Sequence, residues 1–350
     1  MSRSVVAAMT AYTLELHQAE IKLNQNESPF DFPRELKEQV LARMAGRAWN
    51  RYPEFESTAL RTAIAKAYGL TADNILAGNG SNELLAATIG AFVGPGTPVI
   101  FARPTFALYE KLVTIAGGLP VPIDFEPQSG LLPQDAILAA IAKYENAVVI
   151  ICSPNNPTGS VLPDLQALLA TNAMVLLDEA YVDFAQPTSP PTSPAGGGRR
   201  EAAGEGPALA PNLVTFRTFS KAWGLAALRV GWLASTVGNC REIRKVMLPY
   251  SLNVISAAIA EVALENRALR DRNVATIVSE RERLFRSMRA LVDAFPTRAN
   301  FICFRTSKKL FEPLLERGIL IRQVANGWLR VSIGTREQND AFLAALKELV

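Results

Sequence analysis

The stretch ILAGNGSNELLAATIGAFVGPGTPVIFARP, residues 75–104, decides how the chain is read. A short apolar run at 75–77 meets Gly78 and Gly80. Ser81 and Asn82 then open a segment whose Leu84, Leu85, Thr88 and Ile89 fall on one side of a helix over 82–93, and a second apolar run follows at 98–102. Strand, helix and strand in that order form the unit of an α/β fold. The unit repeats, with apolar runs at 119–123, 147–152 and 174–178 alternating with helical patterns at 106–116, 133–143 and 162–170. Such repetition predicts a largely parallel sheet with helices on both faces, whose ligands gather beyond the carboxyl ends of the strands.

Towards the N-terminus, the first 32 residues read as an irregular arm. Pro33 opens a helix with Leu36, Val40 and Met44 on one face, and a second helix runs from about Ser57 to Tyr68 and stops at Gly69. Towards the C-terminus, strands are expected near 213–218 and 228–234, mostly helix over 256–295, and a strand at 300–305. A helix, strands near 319–322 and 328–332, and a final helix complete the chain. Residues 186–211, QPTSPPTSPAGGGRREAAGEGPALAP, carry no hydrophobic period. They read as a disordered surface loop inserted between two strands, a structured lid being the other reading.

Composition narrows the chemistry. Nearly half of the 350 residues are apolar, and a net charge of +3 is close to balance, which argues against a nucleic-acid partner. No apolar run reaches the ~18 residues of a membrane span, and the first dozen residues make too weak a secretory signal, so a cytoplasmic protein is expected. Three cysteines without paired spacing argue against a disulfide framework and against a zinc site. His17 is the single histidine and reads as a surface or half-buried residue. Serine-hydrolase triads and histidine-based acid–base chemistry therefore drop out, leaving lysine or a carboxylate as the base.

Four segments place polar residues at strand ends. In VTFRTFSKAWGLAALRVGW (214–232) an apolar strand runs into Ser220 and Lys221, with Arg229 further on. Desolvating a lysine at a strand end lowers its pKa and frees a neutral, nucleophilic amine, while Ser220 and Arg229 suit a phosphate. In VLLDEAYVDF (175–184) Asp178 ends an all-apolar strand, where a carboxylate needs a partner or caps the next turn. Tyr181 follows three residues later. In ICSPNNPTGS (151–160) Asn156 sits at the edge of a rigid turn. In LAGNGSNELLAATIGAF (76–92) glycines lead into a helix N-terminus, a ready phosphate site. Singly each segment is ordinary.

Together, in this order, they resemble the fold-type-I pyridoxal-phosphate aminotransferases over nearly the whole chain. That resemblance implies pyridoxal 5'-phosphate held as a Schiff base on Lys221, which also moves the substrate α-proton. It implies Asp178 on the pyridine nitrogen and Asn156 and Tyr181 at the ring oxygen. Ser81, Asn82, Ser220 and Arg229 would hold the phosphate, and Phe106 of RPTFALY would stack on the ring. It also implies a large cofactor-binding domain over 45–245, and a small domain built from 1–44 and 246–350 on which the arm packs.

Three stretches resemble the subgroup acting on histidinol phosphate. TAYTLELHQAEIKLNQNESPF (10–30) looks like its arm, in which Tyr12, Asn26 and Glu27 approach the substrate. NRYPE (50–54) looks like the segment whose tyrosine, here Tyr52, reaches the partner subunit's cofactor phosphate, implying a homodimer with shared sites. ILIRQVANGWLRVSIGTREQN (319–339) carries Arg322 and Arg330, which in that subgroup hold the substrate phosphate. The expected reaction converts L-histidinol phosphate and 2-oxoglutarate to imidazole-acetol phosphate and L-glutamate, a step of histidine biosynthesis. The insertion at 186–211 departs from the subgroup pattern. An aromatic-amino-acid aminotransferase and a threonine-phosphate decarboxylase are the enzyme alternatives. A DNA-binding regulator with an aminotransferase-like sensor is disfavoured, because the arm motif begins by residue 24 and the charge is balanced.

Overall fold

The computed structural model describes residues 2–11, 17–126, 129–185, 209–324 and 327–350. Tyr12 and residues 186–208 of the expected insertion lie outside the described residues. The strands are β1 (Ile21–Lys22), β2 (Ile75–Gly78), β3 (Pro98–Arg103), β4 (Leu119–Asp124), β5 (Val148–Cys152), β6 (Met174–Asp178), β7 (Leu213–Thr218), β8 (Gly231–Ser235), β9 (Asp293–Ala294), β10 (Phe301–Arg305), β11 (Ile319–Leu320), β12 (Arg322–Gln323) and β13 (Leu329–Ser332). The helices that matter for the site are α1 (Ser4–Ala7), α2 (Arg34–Ala45), α3 (Thr58–Tyr68), α4 (Ser81–Phe92) and α5 (Leu108–Ala116).

Seven strands form one sheet in the order β2-β8-β7-β6-β5-β3-β4. β4, β3, β5, β6 and β7 pair in parallel, and β8 runs antiparallel to both of its neighbours. The central strands are apolar on both faces because both are covered. In β5, Val148, Ile150 and Cys152 join one core, while Val149 and Ile151 join the core on the opposite face. Parallel pairing brings the carboxyl ends of β5, β6 and β7 to one edge of the sheet, with Cys152 opposite Asp178 and Asp178 opposite Phe216. Polar residues following those ends therefore converge.

A second, four-stranded antiparallel sheet, β12-β13-β10-β9, follows in the C-terminal part. The arm forms a separate two-stranded sheet with the C-terminal part, β1 pairing in parallel with β11. Asn26 then locks the arm to β13. Its backbone N–H donates to Ser332 Oγ at 2.8 Å, and its carbonyl accepts from Asn300 Nδ2 at 3.1 Å.

Most expected elements fall within a few residues of their places, α2 and α3 among them. Two differ in detail. β8 begins at Gly231 rather than near 228, because Ala226–Leu228 form a 3-10 turn and Arg229 adopts a left-handed φ of 50°. The helix expected over 162–170 is confined to Leu165–Leu169, because Asp164 caps it by accepting from Gln166 N and Ala167 N. Among the described residues no helix is long and apolar enough to cross a membrane, and no cluster of histidine, cysteine and carboxylate could hold a metal. His17 is half-buried, its ring edge-on to Phe311.

Gly231 is required by close approach. A Cβ there would lie 2.2 Å from Ser81 N, at the point where β8 passes the start of α4. Gly231→Ala is expected to destabilise the fold by about 1–3 kcal/mol. Gly90→Ala on the same helix, with nothing within 4 Å of the new Cβ, should be neutral or stabilising by up to ~1 kcal/mol. Urea unfolding of the two variants checks the contrast.

Candidate active site

Beyond the strand ends lies a cavity of about 650 Å³. It is lined by Asn26, Ser81, Asn82, Phe106, Asn156, Asp178, Tyr181, Ser220, Lys221, Arg229, Arg322 and Arg330, all picked from sequence. Tyr52 is not among its walls; it is 82% exposed and stacks on Tyr250 at 4.6 Å between ring centroids.

Lys221 follows β7 in the turn that Gly224 permits, with φ of 69°. Its Nζ donates to Gln25 O at 2.9 Å, a carbonyl supplied by the arm. Burial, reinforced by the Arg330 guanidinium, pulls the amine down to about 7; Glu27 and Asp178 oppose this. Asp178 closes β6, with Oδ2 accepting from Tyr109 Oη at 2.7 Å and Oδ1 from Ala180 N at 3.0 Å. Burial raises its pKa, and those two hydrogen bonds work the other way. Tyr181 Oη accepts from Asn26 Nδ2 at 3.0 Å, and burial raises its phenol.

One wall is built for an anion. α4 begins at Ser81 after Gly80 as its N-cap, its first two residues, Ser81 and Asn82, line the cavity, and no side chain caps its free N–H groups. Arg229 Nη1 donates to Ser220 Oγ at 3.3 Å and Ala226 O at 3.0 Å. A Cβ on Gly80 would come within 2.6 Å of Arg229 Nη2, so only glycine lets the guanidinium close on this helix end. A second cationic region comes from β12 and β13. Arg322 and Arg330 are direct partners across that antiparallel pair, so their side chains leave the same face. Arg330 is buried and donates to Asn156 Oδ1 and, at 2.8 Å, to Asn24 O. Asn156, expected at a ring oxygen, thus already holds a guanidinium.

Three further residues shape the site without a clear signal in the sequence. Gln25 enters only through its carbonyl, which no side-chain pattern signals. Tyr109 falls within the apolar pattern of its helix, although its place three residues after Phe106 puts both on one turn. Asn155 is fully buried and ties that turn to the 151–160 loop, accepting from Thr105 Oγ1 at 2.7 Å and donating to Pro104 O at 3.2 Å.

The donor set fits pyridoxal phosphate: an anion cradle, a desolvated amine, a buried carboxylate to face a ring nitrogen, and Phe106 for the ring. A mostly parallel sheet with this set at its carboxyl edge defines an aminotransferase-type pyridoxal-phosphate enzyme. The chain matches aminotransferase class I and II over residues 18–346 and belongs to that family. It is 35% identical to the histidinol-phosphate aminotransferase of Thermococcus gammatolerans over 100% of this chain and 97% of that one. It is 36% identical to the enzyme of that name from Thermococcus kodakarensis, over 99% and 98%. Among solved structures, the histidinol-phosphate aminotransferase of Sinorhizobium meliloti in complex with pyridoxal-5'-phosphate superposes with a TM-score of 0.84, at 24% identity, covering 99% of this chain and 96% of that one.

The lowered lysine has a consequence for stability. Its folded pKa of about 7 lies below the ordinary lysine value of 10.5, so between those values the unfolded chain binds a proton that the folded chain lacks. Raising the pH through that window favours folding. Relative to Lys221→Met, the wild-type apoprotein should gain up to about 1.4 kcal/mol per pH unit between pH 7 and 10. Urea midpoints of the two proteins at pH 7.5 and 9.5 measure it, and a constant difference would contradict the lowered pKa.

Proposed function

We propose that this aminotransferase transfers the amino group of L-histidinol phosphate to 2-oxoglutarate, giving imidazole-acetol phosphate and L-glutamate. The observation that carries the reading is the placement of Arg322 directly opposite Arg330 on the wall of the cavity that holds Lys221. Two guanidinium forks on one face suit a dianionic phosphate better than a lone carboxylate. The substrate in the names of the relatives agrees.

When bound, pyridoxal phosphate supplies an electron sink for the charge left at the substrate α-carbon. Lys221 Nζ holds the cofactor and, once released, carries the proton at that carbon; an amine with a pKa near neutrality is suited to both. Asp178 keeps the ring nitrogen protonated. Ser81, Asn82, Ser220 and Arg229 would hold the cofactor phosphate, Phe106 would pack on the ring, and Asn156 and Tyr181 would serve its oxygen. Arg322 and Arg330 hold the substrate phosphate, Arg330 also taking the carboxylate of glutamate in the second half-reaction, with Asn26 completing that side; the substrate contact the resemblance implies for Tyr12 lies outside the described residues. The exposed Tyr52 suits a residue that completes the site of a second copy, so a homodimer is part of the proposal. So are the cytoplasmic location and the division into a large domain, 45–245, and a small one, 1–44 with 246–350. Strand pairing supports the division, since β2–β8 form one sheet and β9, β10, β12 and β13 another.

Amino donors offered with 2-oxoglutarate test the substrate. Histidinol phosphate should exceed phenylalanine, tyrosine and aspartate in kcat/KM, and Arg322→Ala should lower its kcat/KM by roughly 10- to 100-fold while sparing phenylalanine. Equal losses on both donors would favour an aromatic aminotransferase, and carbon dioxide release from threonine phosphate would establish a decarboxylase instead. Borohydride reduction of the holoprotein should fix the cofactor to Lys221; stable labelling of Lys221→Ala would overturn that assignment.

A further inference from the structure

Asp178 has a partner in the fold with no role so far. Tyr109 is fully buried in the first turn of α5, and its hydroxyl lies 2.7 Å from Asp178 Oδ2. An ionised carboxylate only accepts, so the phenol donates. Burial and the nearby Asp178 charge push its pKa well above the ordinary value, which keeps that proton in place. The other carboxylate oxygen accepts from Ala180 N at 3.0 Å, so each oxygen is tied to one protein donor while Asp178 still lines the cavity. The Cys152 thiol also interacts with the Tyr109 hydroxyl, and it donates to Pro154 O at 3.3 Å.

The hydroxyl is held firmly. Tyr109 N–H donates to Phe106 O at 3.1 Å, and its ring meets that of Phe106 edge-on at 5.6 Å. A single turn thus offers one aromatic ring to the cavity and, three residues on, a phenol to the carboxylate beneath it.

We propose that Tyr109 is a positioning residue for Asp178, holding the carboxylate in the orientation and the ionised state in which it meets the ring nitrogen of pyridoxal phosphate. The proposal rests on the reading of Asp178 given above. A buried carboxylate stripped of a donor gains affinity for a proton, and a neutral Asp178 offers a cationic ring nitrogen much less. Deleting the hydroxyl therefore weakens cofactor binding and the electron sink together, through Asp178.

Tyr109→Phe keeps the ring and its contact with Phe106, so it isolates the hydroxyl. Titrating pyridoxal phosphate into apoprotein, with protein fluorescence as the signal, should give a Kd raised roughly tenfold in Tyr109→Phe. In the loaded enzyme kcat should fall while the KM for the amino donor stays nearly unchanged. In an Asp178→Asn background, adding Tyr109→Phe should change neither quantity by more than about twofold. Unchanged Kd and kcat in Tyr109→Phe, with both impaired in Asp178→Asn, would overturn the role of Tyr109 and leave that of Asp178 standing. Equal losses from Tyr109→Phe in both backgrounds would also overturn it, marking the hydroxyl as a packing element. An Asp178→Asn protein that binds cofactor and turns over normally would remove the reading of Asp178, and the proposal with it.

Discussion

Two ionisable groups of opposite sign sit at neighbouring strand ends, and they do not bond to each other. Asp178 closes β6, and Lys221 lies just past the end of adjacent β7. A direct ion pair would hold the amine charged and occupy the carboxylate. Instead Lys221 donates to Gln25 O, and Asp178 accepts from Tyr109 and Ala180. Burial then dominates the amine and brings it to about 7, where it can serve as nucleophile and as base. The separation is a property of the fold, since it needs a backbone carbonyl near the lysine and a phenol near the carboxylate.

Both supports are themselves anchored. The Gln25 carbonyl belongs to the arm, which β1 ties to β11 and Asn26 ties to Ser332, Asn300 and Tyr181. Asn26 has a φ of 54°, a conformation asparagine tolerates better than most residues, and that local cost is offset by its four hydrogen bonds to those three partners. On the other side, the buried pair Glu179–Arg217, at 2.9 Å, links the residue after Asp178 to the strand that leads to Lys221. A buried pair of this kind adds little net stability but makes other registers of β6 and β7 costly.

The sheet was legible in the sequence because its strands are buried on both faces and separated by amphipathic helices, a pattern that needs no long-range knowledge. The site was legible to the extent that its chemistry lies in side chains at strand ends: Lys221, Asp178 and Arg229 each interrupt or end an apolar stretch, and Ser81 follows a glycine-rich turn into a helix. What escaped was of two kinds. Gln25 acts through its backbone, which carries no residue signature. Tyr109 is aromatic on an apolar helix face, where the hydrophobic period absorbs it and its hydroxyl leaves no mark. Asn156 was found, but its contact with Arg330 depends on how the C-terminal sheet meets the 151–160 loop, and one-dimensional spacing does not encode that. The strand β8 is legible near its place, but its reversed direction is not, since direction is set by the turn at 226–229 and not by the strand's own residues.

The Arg322–Arg330 pair shows why such a meeting matters. Like charges directly opposite on an antiparallel pair are destabilising, by a few tenths to ~1 kcal/mol. The protein spreads part of that cost by giving Arg330 to Asn24 O, to Asn156 and to the face of Phe301 at 5.3 Å. Arg322 remains only half-buried at the same cavity. Two cations kept close together at a cavity wall favour whatever anion can neutralise both. A carboxylate brings one charge, whereas a phosphate brings up to two charges and three acceptor oxygens at once. On the proposed assignment of both arginines to the substrate phosphate, the repulsion built into the strand pair would act as a specificity device, rewarding the ligand with the larger charge and leaving the singly charged one to Arg330 alone.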